Sequence, residues 1–162
     1  MITNNVTRLL QSRRVAFTAH ELPAEKLGAL EAAQILGVPA ERVFKTIVLT
    51  RLGRGKPILA VVPGPSEVDL KKVAQAIGEK KVHLPTEKEA EKLTGLQAGG
   101  ISPLALIQRG FQVLIDESAS SYEMIFVSGG QRGLNIELRT DDFIKLTNAR
   151  LADIHTHPAS EI

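Results

Sequence analysis

FKTIVLTRLGRGKPILAVV, residues 44–62, contains two apolar, β-branched runs separated by the tetrapeptide GRGK. Val, Ile and Thr suit a pleated, half-buried surface, and a short Gly-containing connection between two such runs reads as a hairpin. The spacing predicts antiparallel strands over 44–52 and 57–62. GRGKP is not a phosphate-binding loop: it lacks the four-residue spacer and the Lys-Ser/Thr end, and it occupies a turn.

Working outward, VAFTAHEL (15–22), KVHL (81–84), FQVLID (111–116), EMIFV (123–127) and LNIEL (134–138) read as further strands, with LADIH (151–155) a weak last one. LQAGGISPLAL (96–106) reads as a strand end entering a loop. Helices are expected after Asn4 or Asn5, over 23–37 ending at Gly37, over 70–78 behind an Asp69 cap, and up to Gly95 behind a Thr86–Glu89 capping box. A last short helix is capped by Thr140 or Asp141, and Pro39 opens a helical turn. The result is about seven strands and five helices without a strict βαβ rhythm, and hairpins outnumber crossovers. The expected fold is α+β: a mixed, mainly antiparallel sheet, curved and rolled toward a barrel, with peripheral helices.

The 162 residues fit a single domain spanning 1–162, long enough to bury a core. Aromatic residues make up only 4%, so the core must be aliphatic, and a base-stacking surface of the single-strand-binding kind is not expected. The absence of cysteine excludes disulfides, thiolate metal sites and a cysteine nucleophile. No apolar run reaches membrane-spanning length and the N-terminus lacks a signal-peptide core, so no membrane partner and a cytoplasmic location are expected. A net charge of +2 is too small to hold a long nucleic acid by phosphate neutralisation alone. An RNA partner would be gripped at one small place or held by another protein.

Three stretches can carry chemistry. Lys45 interrupts an apolar strand, either on its solvated face or as a cation projected into a cavity. AGGISP (98–103) places Gly99 and Gly100 together, either as a bulge or hinge or as consecutive N–H groups that accept an anion. FVSGGQRGLNIEL (126–138) puts Gly129, Gly130 and Gly133 between two strands, either as a hairpin turn or as backbone cleared for a ligand. Other candidates are weaker. Ser128 has no nucleophile-elbow context and no nearby His–Asp pair. His83 reads as a strand residue, and His155 and His157, with no ligand at metal spacing beside them, read as a solvated tail. No metal or other cofactor is expected.

Taken together, VFKTIVLT, DLKKVAQAIGEKKV, GGISPLA and VSGGQRGLNIEL occur in the order and approximate spacing of one family, over nearly the whole chain from Val6 to about Ile154. The sequence resembles the YbaK/EbsC proteins, trans-acting aminoacyl-tRNA deacylases related to the inserted editing domain of bacterial prolyl-tRNA synthetases. The resemblance implies a rolled mixed sheet with outer helices and hydrolysis of the ester joining a wrong amino acid to the 3′ end of a tRNA. The substrate it implies first is Cys-tRNA(Pro), with Ala, Ser or Thr on tRNA, or a non-catalytic aminoacyl-tRNA or synthetase-binding module, as alternatives. A second hydrolytic step suits two amino acids that a hydrophobic pocket separates poorly.

The resemblance also implies residue roles. Lys45 stands at the pocket mouth near the terminal adenosine and its phosphate, and the backbone of Gly99, Gly100 and Ile101 holds the scissile carbonyl oxygen. His20, Leu30, Ser102, Ser128, Gly129, Arg132 and Asn135 contact substrate, and the glycines after Ser128 are read as clearance for the tRNA's 3′ nucleotide. Family members acting on cysteine let the substrate thiol attack its own ester, which requires no protein nucleophile. The chain departs from their pattern at Asn135, where they carry aspartate, and near His20 and Leu27 or Leu30, where they carry aromatics. The implied partners are the 3′ end of an aminoacylated tRNA and, transiently, prolyl-tRNA synthetase.

Overall fold

The structure, a computed structural model, describes residues 2–156. Along the chain lie α1 (Asn5–Ser12), β1 (Phe17–Glu21), α2 (Ala29–Leu36), β2 (Phe44–Arg51), β3 (Ile58–Pro63), α3 (Leu70–Ile77) and β4 (Val82–His83). There follow α4 (Glu87–Thr94), β5 (Gln112–Asp116), β6 (Met124–Ser128), β7 (Leu134–Arg139), α5 (Thr140–Thr147) and β8 (Arg150–Ala152). The GRGK hairpin forms as expected, with Lys45 opposite Val62 and Val48 opposite Leu59.

The strands make two sheets rather than one. The first has the order β1-β7-β6 and is antiparallel throughout; the second has the order β4-β2-β3-β5-β8. In the second, β2 pairs antiparallel with β3 and β4, while β3–β5 and β5–β8 are parallel. A single parallel bridge, Val43 to Phe126, links the sheets. The architecture is therefore the mixed, mainly antiparallel α+β fold expected, with its curvature taken up by a break between two sheets.

Alternation along the strands explains the packing. Phe44, Val48, Leu59, Val61 and Ile115 from the larger sheet share one core with Ile125, Val127, Ile136 and Leu138 from the smaller, together with Leu10 of α1 and Phe143 of α5. The opposite face of the larger sheet carries Leu49, Ile58, Ala60, Val62 and Leu114 against Val73 and Ala74 of α3. β3 is buried on both faces, which is why ILAVV shows no polar alternation. A third cluster packs Ala32 and Ala33 of α2 on Val43 and Phe126, over the bridge.

Most caps are where the sequence puts them: Asn4 on α1, Asp69 on α3 and the Thr86–Glu89 box on α4. Three readings change. The second helix begins at Ala29 and not at Pro23, because Gly28 starts it and the Glu31 carboxylate accepts the Gly28 N–H. Residues 22–28 are thereby freed to run as a loop. Stretch 96–106 holds no strand: it turns and enters a 3-10 helix at Pro103–Ala105. The residue preceding α5 is Arg139, one earlier than expected, and Thr140 instead donates to the Tyr122 carbonyl at 2.6 Å.

His155 is not on a solvated tail; His157 lies outside the described residues. The chain at His155 pairs with Val68, and the Ile154 carbonyl accepts from Asp69 N–H at 2.8 Å. The His155 ring lies 2.8 Å from the buried Asp116 carboxylate, which also accepts the Ile154 N–H at 3.0 Å. Burial raises the Asp116 pKa, but hydrogen bonds from Ser118, His155 and the Ile154 N–H outweigh it, and the net position is below the ordinary value of 3.8. Asp116, Asp153 and His155 bring three ligand-type atoms within 4.8 Å of one another. Asp116 is occupied by these protein donors and Asp153 by Lys72, so the group staples the C-terminal segment to the end of β5.

Candidate functional site

A cavity of about 400 Å³ opens where the two sheets part. Its walls come from the 22–32 segment, residues 43–48 of the β2 region, residues 84–90, the 98–101 loop, and residues 128 and 133–135 at the β6–β7 connection. The break in the sheet and the late start of α2 create the space. Of the residues given a site role from the sequence, Lys45, Gly99, Ile101, Ser128 and Asn135 line it.

Lys45 is partly buried, and its Nζ donates to the Gly64 carbonyl at 3.1 Å. That carbonyl is fixed by crowding: a Cβ on residue 64 would meet the Ala29 Cβ at 2.9 Å and the Val43 carbonyl oxygen at 3.0 Å. The strand thus delivers an ammonium with one of its three donor positions occupied.

The 98–101 loop is held at both groups of one peptide-bearing residue. Ala98 N–H donates to the Glu91 carboxylate of α4 at 2.7 Å, and Ala98 carbonyl accepts from Arg132 Nε at 2.7 Å. Gly100 N–H donates to the Gln97 carbonyl at 2.8 Å. Gly100 does not line the cavity; a Cβ there would lie 2.8 Å from Gln131 Cα and carbonyl C, so its glycine identity lets two main chains touch. Gly99, at φ +90°, and Ile101 face the cavity, and their N–H groups meet no acceptor among the described residues. The expected pair Gly99–Gly100 is therefore replaced, as free donors, by Gly99 and Ile101.

Asn135 is 6% exposed and its Oδ1 is buried without a hydrogen-bond partner among the described residues. It sits in β7 between His20 of β1 and Ser128 of β6. A buried, unsatisfied amide oxygen costs free energy unless a ligand completes it. Ser128 Oγ accepts the Gly130 N–H at 3.3 Å.

The other assigned residues lie elsewhere. His20 Nε2 pairs with Glu137 at 3.0 Å and the ring packs on Phe126, and His20 does not line the cavity. Leu30 is 53% exposed on the outer face of α2, and Leu27, Ala29 and Ala32 line the cavity in its place. Ser102 is buried and caps the 3-10 helix through Leu104 N–H. Gly129 makes room for Leu134, whose side chain a Cβ would meet at 2.5 Å, and Arg132 braces the loop. The glycine cluster after Ser128 is thus a long turn packed against its neighbours; of its three glycines only Gly133 borders the cavity.

Sequence reading missed Lys26, Glu87 and Glu91. Lys26 and Glu87 line the mouth and form an ion pair at 2.5 Å. Both come from segments with ordinary charge patterning, and nothing local marks them. No histidine lines the cavity among the described residues, and Ser128 has no base beside it. The chamber offers main-chain groups, one amide, the Thr46 and Ser128 hydroxyls, two cations and two carboxylates, and no serine–histidine pair lines it among the described residues.

Residues 23–146 match the family model of the aminoacyl-tRNA editing domain, and the chain belongs to that family. It is 38% identical over 154 residues to EbsC of Enterococcus faecalis, named as a candidate Cys-tRNA(Pro)/Cys-tRNA(Cys) deacylase, covering 94% of this chain and 93% of that one. It is 30% identical over 130 residues to the proline–tRNA ligase of Leuconostoc citreum, covering 78% of this chain and 22% of the ligase. A solved structure of a candidate trans-editing enzyme for prolyl-tRNA synthetase superposes with a TM-score of 0.77 at 25% identity, over 97% of this chain and 100% of that one. The hypothetical protein APE2540 shares the fold with a TM-score of 0.86 at 23% identity, over 94% and 100%. No helix among the described residues is long and apolar enough to cross a membrane.

Proposed function

We propose that this protein is a trans-acting deacylase of mischarged aminoacyl-tRNA, working in the cytoplasm with Cys-tRNA(Pro) as its preferred substrate. The observation that carries the reading is one cavity gathering Lys45, the free N–H groups of Gly99 and Ile101, Ser128 and the unsatisfied Asn135 amide. Similarity to EbsC over nearly the full length supports the substrate.

In this reading the aminoacyl ester enters with its carbonyl oxygen toward Gly99 and Ile101 N–H. The substrate sulfur attacks the carbonyl carbon, a C–S bond forms, and the C–O bond to the tRNA 3′-oxygen breaks. The thiol proton ends on that oxygen, and the released cyclic thioester opens in water. Negative charge develops on the carbonyl oxygen, where preorganised main-chain donors act most strongly. The protein supplies position and electrostatics, which a chamber without a nucleophile–base pair can do. Lys45 contributes positive charge at the adenosine end, Ser128 and Asn135 offer polar contacts to the nucleoside and aminoacyl groups, and Gly100 and Arg132 hold the loop.

The test is a deacylation panel of Cys-, Ala-, Ser- and Pro-charged tRNA(Pro), with and without prolyl-tRNA synthetase. Cys-tRNA(Pro) is turned over many times per protein molecule, Ala-tRNA(Pro) slowly and Pro-tRNA(Pro) not at all. With a net charge of only +2, the synthetase is expected to lower KM by presenting the tRNA. Faster release of alanine than of cysteine would move the protein to a sister specificity, and release of no more than one amino acid per molecule would make it a binding module.

A further inference from the structure

The Lys26–Glu87 pair stands at the mouth of the cavity, and both side chains line it. Lys26 is on the 22–28 loop and Glu87 opens α4, so the bridge crosses from one wall to the other. The side chains are 52% and 55% exposed, so the pair is bathed in water and adds little to folding. Its position matters more. The Lys26 Cα lies 3.3 Å from where a Gly99 Cβ would stand, so the main chain carrying this lysine is packed on the loop with the free donors.

The charged groups lining the cavity are Glu25, Lys26, Lys45 and Glu87, two cations and two carboxylates. Lys45 is partly buried and bonded to Gly64. Lys26 is the more exposed cation, and an oxygen anion already occupies its ammonium. A carboxylate and a phosphodiester present the same acceptor to a lysine, a negatively charged oxygen at hydrogen-bonding distance. With a net charge of +2, the molecule has little long-range pull on RNA, so a local cation must make the first phosphate contact.

We propose that Lys26 is the seat for the phosphate on the 5′ side of the terminal adenosine, and that Glu87 fills this seat until the phosphate displaces it. The proposal rests on the tRNA-editing reading and adds a binding residue to it. Glu87 then acts as a built-in competitor. It pairs the Lys26 ammonium in the free protein and must be displaced before a phosphate can take the seat.

The test uses two non-hydrolysable probes, 3′-cysteinylamido-3′-deoxyadenosine and the same nucleoside extended at its 5′ end by a phosphate-linked cytidine. Dissociation constants are measured for the wild-type protein, Lys26→Ala, Glu87→Gln and the double variant, with unfolding midpoints as the folding control. For the phosphate-bearing probe, Lys26→Ala weakens binding about fivefold and Glu87→Gln strengthens it about fivefold, the scale of one half-exposed charge contact. The double variant matches Lys26→Ala, because Glu87 acts only through Lys26. For the nucleoside probe all four proteins agree within about twofold on the same scale. Weaker binding in Glu87→Gln, or equal changes for both probes, overturns the proposal and makes the pair a structural bridge. Failure of both probes to bind the wild-type protein overturns the editing reading itself, and the phosphate seat with it.

Discussion

Replacing Gly100 with alanine tests whether main-chain packing sets the geometry of the candidate site. The added Cβ would lie 2.8 Å from Gln131 Cα and carbonyl C, and 2.9 Å from Arg132 N. Ordinary contact starts at 3.4 Å, so the loop must retreat by at least 0.6 Å (3.4 − 2.8), and the obstacle is backbone that cannot rotate aside. Gly100 does not have a positive φ, so the substitution carries no dihedral penalty and its effect is purely steric. Overpacking of this kind costs about 1–3 kcal/mol of stability. The retreat carries Gly99 and Ile101 with it and strains the 2.7 Å bond from Arg132 to the Ala98 carbonyl. Misplacing reacting groups by about 1 Å can cost on the order of 100-fold in rate, so a loss of about tenfold or more is expected. Single-turnover deacylation of Cys-tRNA(Pro) measures the rate, and a urea midpoint measures the stability. Gly78→Ala is the control: φ is +73° there with nothing within 4 Å of the new Cβ, so about 1–2 kcal/mol is lost with no change in rate. A Gly100→Ala protein with wild-type rate would refute the reasoning, whatever its stability.

Glu91→Ala leaves the buried Ala98 N–H without its acceptor, at a cost of about 1–3 kcal/mol, and is expected to lower kcat with little change in KM. Glu91→Gln keeps an acceptor oxygen and most of the rate; steady-state kinetics of the two variants separates a positioning role from a general loss of structure. Lys45→Ala removes the cavity ammonium and its bond to Gly64, and turnover falls at least about tenfold while circular dichroism stays unchanged. An unchanged rate would take Lys45 out of the site. Asp116 has a folded pKa below its unfolded value, so its contribution is present above about pH 4 and is lost as pH falls through the folded pKa. Asp116→Asn is therefore less stable at neutral pH and shows a flatter decline in stability on acidification, read from urea midpoints between about pH 2.5 and 6.

The fold was legible where local chemistry and tertiary packing agree. The hairpin of β2 and β3 follows from β-branched runs around GRGK, and Gly37, Gly78 and Gly95 end their helices in the left-handed region as expected. What stayed hidden was set at a distance. The late start of α2 depends on Gly28 and on a loop that must clear the cavity, against a 23–37 pattern that looks helical throughout. The docking of His155 depends on Asp116, 39 residues earlier in the chain, which no spacing rule connects to it. In the site, the strand cation Lys45 and the loop at Gly99 were visible as residues out of keeping with their surroundings. Leu30 was misplaced because the helix rotation that turns Ala29 and Ala32 inward follows from packing on Val43 and Phe126. Glu91 could not be found locally, and Arg132 was named only through the resemblance and as a substrate contact, since what both bind is the main chain of Ala98, and a backbone partner leaves no residue type to recognise.

Main-chain bracing of this kind holds the loop from within the described residues. The groups that fix the 98–101 loop are Glu91, Gln97, Gln131 and Arg132, and all of them belong to this chain. Arg132 reaches the loop from the β6–β7 turn, and Asn4 of the α1 cap donates to the Gly129 carbonyl and the Gln131 side chain of that same turn. The donor geometry is thus braced from α4 on one side and from α1 through the turn on the other, with no neighbouring domain required. The matched stretch amounts to 22% of the Leuconostoc citreum ligase, and the bracing explains how an equivalent unit can hold its loop outside such a protein. On the proposed editing reading, a synthetase contributes the tRNA and not the loop geometry, which is braced by residues of this chain.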